Sequence, residues 1–300
     1  MFLSSGEGFW PKAGGSAAPF ITGGAGTHLT LQGGNYYWND VEHRVVHVTD
    51  ASGALVRTIP VASPTNSPVE LVAAGQAGVY VLTRCVSTQD MICPASATET
   101  IELIRDAASD AQTLVAPAPP TRIDGIAGNG YVVIWAEGSQ IQKLDATTGT
   151  ITPLVQLYGG LSSRAGNLLI SGDMFFAVRS GPVIERHALS NGALLQTQDL
   201  ALAVGYFSVE WLAYDPYHTN LYFAGRYVFG GVAGQGQCDG PPDLYRLGLS
   251  DKGPQKIFSV VRPDRMLLEG EALYLTATDL GGTSTCPAAG PHSFVACYRL

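Results

Sequence analysis

Eight polar side chains stand at or beside the starts of short apolar runs: His28, Glu70, Arg122, Asp124, Arg164, Glu210, Asp264 and Arg265. Brought together, a set of mixed charge could hold a small polar ligand, a sugar, or a divalent cation through oxygen ligands. The same charges could instead pair with one another or stand solvated at a rim, which would leave no site. No serine elbow, paired-histidine metal helix motif or calcium loop accompanies them, so no catalytic residue is assigned.

The five cysteines are Cys85, Cys93, Cys238, Cys286 and Cys297. Cys85 and Cys93 are close enough in sequence to be bridged inside one hairpin, and a disulfide between them is expected. Cys286 with Cys297 is the local second pairing and Cys238 with Cys286 the longer one; either leaves one thiol over. Isolated reduced thiols are the alternative, and zinc lacks the closely spaced cysteine or histidine partners that it needs. Disulfides imply an oxidising compartment, so an extracytoplasmic location (periplasm, cell surface or medium) is expected. Against it, Met1 to Trp10 carries no basic segment followed by an apolar one, so no signal peptide is visible.

Composition narrows the partners. Hydrophobic residues make up 46% of the chain and charged residues 14%, with a formal net charge of -8 and no lysine or arginine run. Such a chain has material for a large core, and it lacks the clustered positive charge that nucleic acids and anionic membranes require. The apolar stretches are strand-sized, so no transmembrane helix is expected. No resident cofactor is expected, a divalent cation being the alternative.

The elements that must position these residues repeat. A short strand of apolar, variable, often basic, apolar character recurs as Val45-Val46-His47-Val48, Ile101-Glu102-Leu103-Ile104, Ile141-Gln142-Lys143-Leu144, Ile184-Glu185-Arg186-His187, Leu244-Tyr245-Arg246-Leu247 and Cys297-Tyr298-Arg299-Leu300. An aromatic strand precedes each copy, as in Tyr36-Tyr37-Trp38 or Leu221-Tyr222-Phe223. A shorter apolar strand precedes that, as in Val69 to Ala73 or Ile123 to Ala127. A fourth follows the turn, as in Leu55 to Ile59 or Ile151 to Leu157. Gly and Asp turns, β-branched and aromatic enrichment, and the lack of a 3.6-residue apolar stripe favour strands throughout.

Plain copies are spaced by about forty residues, the length of one four-stranded repeat unit. The expected fold is therefore all-β: a six-bladed β-propeller of four-stranded antiparallel blades, spanning residues 1–300 as one domain. Radial repetition of this kind protects the strand edges. Seven blades is the rival count. The chain stops after the third strand of the sixth copy, so Ala18 to Thr22 is expected to supply the missing outer strand and close the ring; residues 1–17 have no assigned place.

Three copies carry insertions between their second and third strands, at Arg84 to Thr98, Phe229 to Pro242 and Asp279 to Ser293. Strand alternation puts all three at the end of each blade where the first strand begins, at the mouth of a central channel. Binding loops on a repeat scaffold gather on one such face.

The run Gly34-Asn35-Tyr36-Tyr37-Trp38-Asn39-Asp40, followed by Arg44-Val45-Val46-His47-Val48 and Ser52-Gly53, resembles the YWTD-type propeller repeat and its bacterial extracytoplasmic relatives. That resemblance implies a propeller of six blades and leaves function open, since propellers host unrelated activities. Lactonase-type propellers hold a metal with Glu, Asn and Asp from inner strands; Glu70, Asn167, Glu210 and Asp264 offer those types without a local motif of that family. Streptogramin-lyase-like propellers would need a channel histidine, and only His28 is placed for it. Asp215-Pro216-Tyr217-His218 looks like a catalytic turn but falls between a first and a second strand, where Asp-Pro initiates a turn. The expected function is a non-catalytic binding module, monomeric, meeting a protein or glycan partner through its rim loops or a small polar ligand at the channel mouth. The alternative is a small-molecule hydrolase or lyase at that mouth.

Overall fold

A computed structural model describes residues 2–5, 8–11, 21–22, 28–74, 78–86, 93–94, 97–105, 110–118, 121–161, 167–179, 183–202, 205–228, 243–251, 253–258, 262–269, 272–279 and 292–299. All regular structure among them is strand. Two compact units divide the chain, Met1–Leu157 and Tyr158–Leu300.

In the first unit, β1 (Phe2–Ser5), β2 (Gly8–Pro11) and β3 (Ile21–Thr22) form a three-stranded sheet. β4 (Leu29–Gln32), β5 (Asn35–Asp40), β6 (Val45–Thr49) and β7 (Leu55–Pro60) form the next. β8 (Ser67–Ala74), β9 (Gly78–Arg84), β10 (Thr100–Ile104) and β11 (Gln112–Val115) follow, then β12 (Ile123–Gly128), β13 (Val132–Glu137), β14 (Gln140–Asp145) and β15 (Ile151–Gln156). Each is an antiparallel meander in which neighbours in sequence are neighbours in the sheet.

The second unit continues the pattern. β16 (Leu168–Ser171), β17 (Met174–Arg179), β18 (Val183–Ala188) and β19 (Leu194–Asp199) make a four-stranded sheet. β20 (Ala201–Leu202), β21 (Gly205–Asp215), β22 (Asn220–Val228), β23 (Asp243–Gly248) and β24 (Gln255–Phe258) make one of five strands. β25 (Arg262–Glu269), β26 (Ala272–Asp279) and β27 (His292–Arg299) make one of three.

The six repeat copies thus correspond to six sheets, and all three insertions fall between second and third strands. One expectation fails. Ile21 pairs with Phe9 and Thr22 with Gly8, so the stretch expected to complete the last sheet belongs to a separate sheet with Phe2–Ser5. Residues given no place form its other two strands. The physical reason is local: a partner a dozen residues away closes a small loop and costs less chain entropy than one at the far end of the sequence. Among the described residues, the β1–β3 sheet raises the number of sheets to seven.

Alternation along single strands explains why successive sheets stack. In β9, Val79 and Val81 join Tyr37, Val46, Val48 and Ile59 of the preceding sheet, while Tyr80 and Leu82 join Ile126, Val133 and Trp135 of the following one. One strand therefore buries both faces, and each such side chain removed from water contributes about 1.5–3 kcal/mol. In the second unit Phe176, Val178 and Ile184 pack on Leu212, Tyr214, Leu221 and Phe223 in the same manner. Third strands turn into fourth through aspartate-capped turns: Asp50 Oδ1 accepts the N–H groups of Ser52 and Ala54 at 2.8 and 3.1 Å, and Asp145 Oδ1 those of Thr147 and Thr148 at 2.8 and 3.0 Å.

First strands carry a recurring irregularity. The register against the second strand shifts between Pro68 and Glu70, Ile123 and Ile126, Glu210 and Leu212, and Pro263 and Arg265. β4 and β16 pair without a shift. A bulge kinks the strand and re-aims the side chains beside it.

Candidate functional site

The leading end of each sheet, where its first strand begins and its second passes to its third, is where the sequence-derived candidates fall. In the first unit it is built around one backbone residue, Ile123. Arg84, the last residue of β9, donates from Nη2 to the Ile123 carbonyl at 3.1 Å, and Glu99, one residue before β10, accepts the Ile123 N–H on Oε2 at 2.5 Å. Arg84 and Glu99 flank the insertion in that sheet, and their side chains take the places that a neighbouring strand's backbone would fill.

Both residues belong to a charged cluster. Glu99, 9% exposed, has Oε1 within 3.5 Å of Arg122 Nε, whose side chain is 73% exposed. Arg84 Nε, buried and without a hydrogen-bond partner, lies 3.9 Å from the same oxygen. Asp124 occupies the β12 bulge. Its carboxyl is pushed above the usual carboxylate range by burial and by the charge of Glu99, with Arg84 and Arg122 acting in the opposite sense. Glu70, at the β8 bulge, reaches the same strand, its Oε2 accepting the Ile126 N–H at 3.4 Å.

The insertion between Arg84 and Glu99 is bridged by a disulfide between Cys85 and Cys93, with Cα atoms 5.7 Å apart. On its returning arm, the Ala97 N–H bonds the Pro94 carbonyl at 2.9 Å and Asn66 Nδ2 donates to the Thr98 carbonyl at 2.8 Å. Asn66 is buried, as is Glu102, which accepts from Thr100 Oγ1 at 3.0 Å and from the Ala62 N–H at 2.9 Å.

Of the remaining candidates, His28 is buried and its backbone N–H bonds Asn39 Oδ1 at 2.7 Å. Arg164, Cys238 and Cys286 lie outside the described residues. Glu210, Asp264 and Arg265 stand at the bulges of β21 and β25, and Cys297 pairs with Tyr274, their side chains being outside the described ones. The lactonase-like set is divided by position, Glu70 lying in the first unit and Asn167, Glu210 and Asp264 in the second. Among the described residues no group of three or more His, Cys, Asp or Glu could hold a metal ion. The structure thus joins Arg122 and Asp124 to two residues that sequence reasoning missed, Arg84 and Glu99. The available signal was their position, as the charged pair bounding the cysteine-bearing insertion.

A second missed cluster lies at the leading end of the β4–β7 sheet. Asp40, 4% exposed, accepts from His43 through Nδ1 at 2.8 Å and meets His47 Nε2 at 3.2 Å. Burial alone would raise the Asp40 carboxyl, but the bonds from His43 and His47 hold it below the usual range. His47 is packed on Trp38, ring centroids 4.3 Å apart. Asp215 and His218 repeat the arrangement at 2.5 Å, while Asp215 Oδ1 accepts the Tyr217 N–H at 2.9 Å. That second copy caps the turn between β21 and β22.

The opposite ends of the sheets differ in character. Of nine exposed large hydrophobic residues among those described, eight, including Leu55, Val56, Tyr131 and Leu194, lie where first strands meet second or third meet fourth; Tyr158 is the exception.

No protein-family model matches the chain, and no curated protein matches it. Its structure is similar to that of the computationally designed Ika8 protein, with a TM-score of 0.54 and 11% identity over 94% of this chain and 74% of that one. At that identity the likeness concerns fold alone. The chain is an all-β protein of repeated antiparallel sheets with a disulfide, and no helix of the described residues is long and apolar enough to cross a membrane.

Proposed function

We propose that the six repeat sheets are the blades of a β-propeller and that the chain is an extracytoplasmic, non-catalytic binding protein. Its leading end, with the insertions between second and third strands, meets a protein or glycan partner. The observation that carries this reading is the double hold of Arg84 and Glu99 on Ile123, at the base of an insertion bridged by a disulfide. A loop base ordered in advance loses less freedom on association, and the exposed Arg122 guanidinium offers a planar set of donors to a polar partner. The oxidising compartment is supported by the disulfide.

A photo-crosslinking side chain placed at Arg122, and separately at Leu55 on the opposite end, tests the reading, with immobilised glycans and the proteins of the cell envelope as bait. Crosslinks or glycan binding that depend on position 122 and not on 55 support it, and Glu70→Gln should then weaken binding with the melting curve unchanged. Capture only through position 55 sinks the leading-end assignment. Stoichiometric divalent metal in the purified protein, with turnover of a lactone, would replace it by the hydrolase alternative.

A further inference from the structure

The insertion at Arg84 to Thr98 is tied at two levels. Cys85 and Cys93 are bridged, and both residues are half-buried, within reach of a small thiol. At its base, Arg84 and Glu99 grip the carbonyl and the N–H of Ile123 respectively. Arg84 is the residue next to Cys85, so the covalent tie and the grip are separated by one peptide bond. On the other arm the connection from Cys93 to Glu99 carries the bond from the Ala97 N–H to the Pro94 carbonyl and the Thr98 carbonyl held by Asn66.

What the grip holds matters for the site. Ile123 lies between Arg122, the exposed guanidinium, and Asp124, the carboxyl in the bulge. Ile123 is the last residue paired with β13 ahead of the bulge, and its own N–H and carbonyl bond Glu99 and Arg84, so these side chains hold the backbone where the ladder is about to be interrupted.

We propose that the Cys85–Cys93 disulfide is a redox-sensitive latch on the leading end: closed, it holds Arg84 and Glu99 on Ile123 and so fixes Arg122 and Asp124; opened, it releases them. A small-molecule thiol supplies the chemistry. Its thiolate attacks one sulfur of the bridge and expels the other as a thiolate, which takes up a proton; the thiolate of a second molecule then attacks the small-molecule sulfur of the mixed disulfide and expels the remaining cysteine, which is protonated in turn. Two thiols are oxidised to one disulfide as Cys85 and Cys93 are reduced. The latch rests on the reading of the leading end as the working end, but its own readout requires no partner.

Amide hydrogen exchange of the full-length protein, resolved to Ile123 and Ile126, provides the test. On reduction with dithiothreitol, and in the Cys85→Ser/Cys93→Ser double variant, the Ile123 amide should exchange roughly tenfold faster or more, while Ile134 in the middle of β13 keeps its protection. Glu99→Ala, which removes the acceptor with the disulfide intact, should release the same amide. Unchanged Ile123 exchange after reduction, confirmed by intact mass to have opened the bridge, overturns the latch even where Glu99→Ala releases it. If the double variant fails to fold, the reduced wild-type protein decides. A latch that works in a protein for which no partner is captured at position 122 would leave this inference standing and sink the binding reading alone.

Discussion

Asn39, in β5, donates its side-chain amide to the carbonyl of Pro68, in β8, at 3.1 Å, joining one sheet to the next from a fully buried position. Arg84 makes the same crossing one sheet further along, to the carbonyl of Ile123. Pro68 and Ile123 occupy equivalent places, each the last paired residue ahead of a first-strand bulge. The end of a second strand thus reaches across to the start of the next sheet, by an amide in one case and a guanidinium in the other.

Asn39 is therefore expected to be costly to replace. Asn39→Ala leaves the Pro68 carbonyl and the His28 N–H without these partners and should destabilise the first unit by about 2–4 kcal/mol. Asn39→Asp keeps the acceptor for His28 but sets a carboxylate against a carbonyl oxygen, so it should not rescue. Chemical denaturation of the three proteins checks this; equal midpoints for Asn39→Asp and wild type would refute the role of the donated bond.

Gly78, the first residue of β9, has a φ of +131°, and a Cβ built there would lie 2.1 Å from the Ile104 carbonyl oxygen. Both the backbone conformation and the space exclude a side chain. Gly78→Ala should cost roughly 2–4 kcal/mol, measured by denaturation, through strain and displacement of β10. A loss under about 0.5 kcal/mol would mean that the turn adapts freely.

His43 should titrate above its ordinary value of 6.5, because its bond to Asp40 and the charge of Asp40 favour the imidazolium. The sign follows from linkage: the contribution to stability is fully present below pH 6.5 and is lost as pH rises through the higher folded-state midpoint. NMR titration of the imidazole in wild type and Asp40→Asn reads it. The midpoint should fall in the variant, and equal midpoints would contradict the pairing.

Asp124 presents the opposite case. Its raised folded-state pKa means that ionisation is disfavoured by folding, so stability is lost as pH rises from 3.8 through the raised value. Asp124→Asn should therefore melt higher at pH 7, by only about one or two degrees because solvent screens a half-exposed carboxyl, and the gain should vanish below pH 3.8. A lower melting point at pH 7 would show that hydrogen bonds to the carboxylate outweigh its desolvation.

Much of the fold was legible because strand periodicity is local. The third strand at Val45 to Val48 was expected and spans Val45–Thr49; the first strand expected at Ile123 to Ala127 spans Ile123–Gly128. The hairpin disulfide was legible for the same reason, its cysteines being eight residues apart. Ala18 to Thr22 was misplaced, and residues 1–17 were left without a place, because pairing of short strands depends on which partner lies near, and their sequence specifies no unique register.

By itself, the sequence determined the all-β character, the order of the meanders, the location of the insertions and the Cys85–Cys93 bridge. These follow from alternation, turn chemistry and short separations along the chain. Only the tertiary structure decided that Arg84 and Glu99 meet at Ile123, residues 39 and 24 positions away, and that Asp40 gathers His43 and His47. Contacts between sheets are set by stacking and bulges, and a one-residue shift in register turns a side chain to the opposite face.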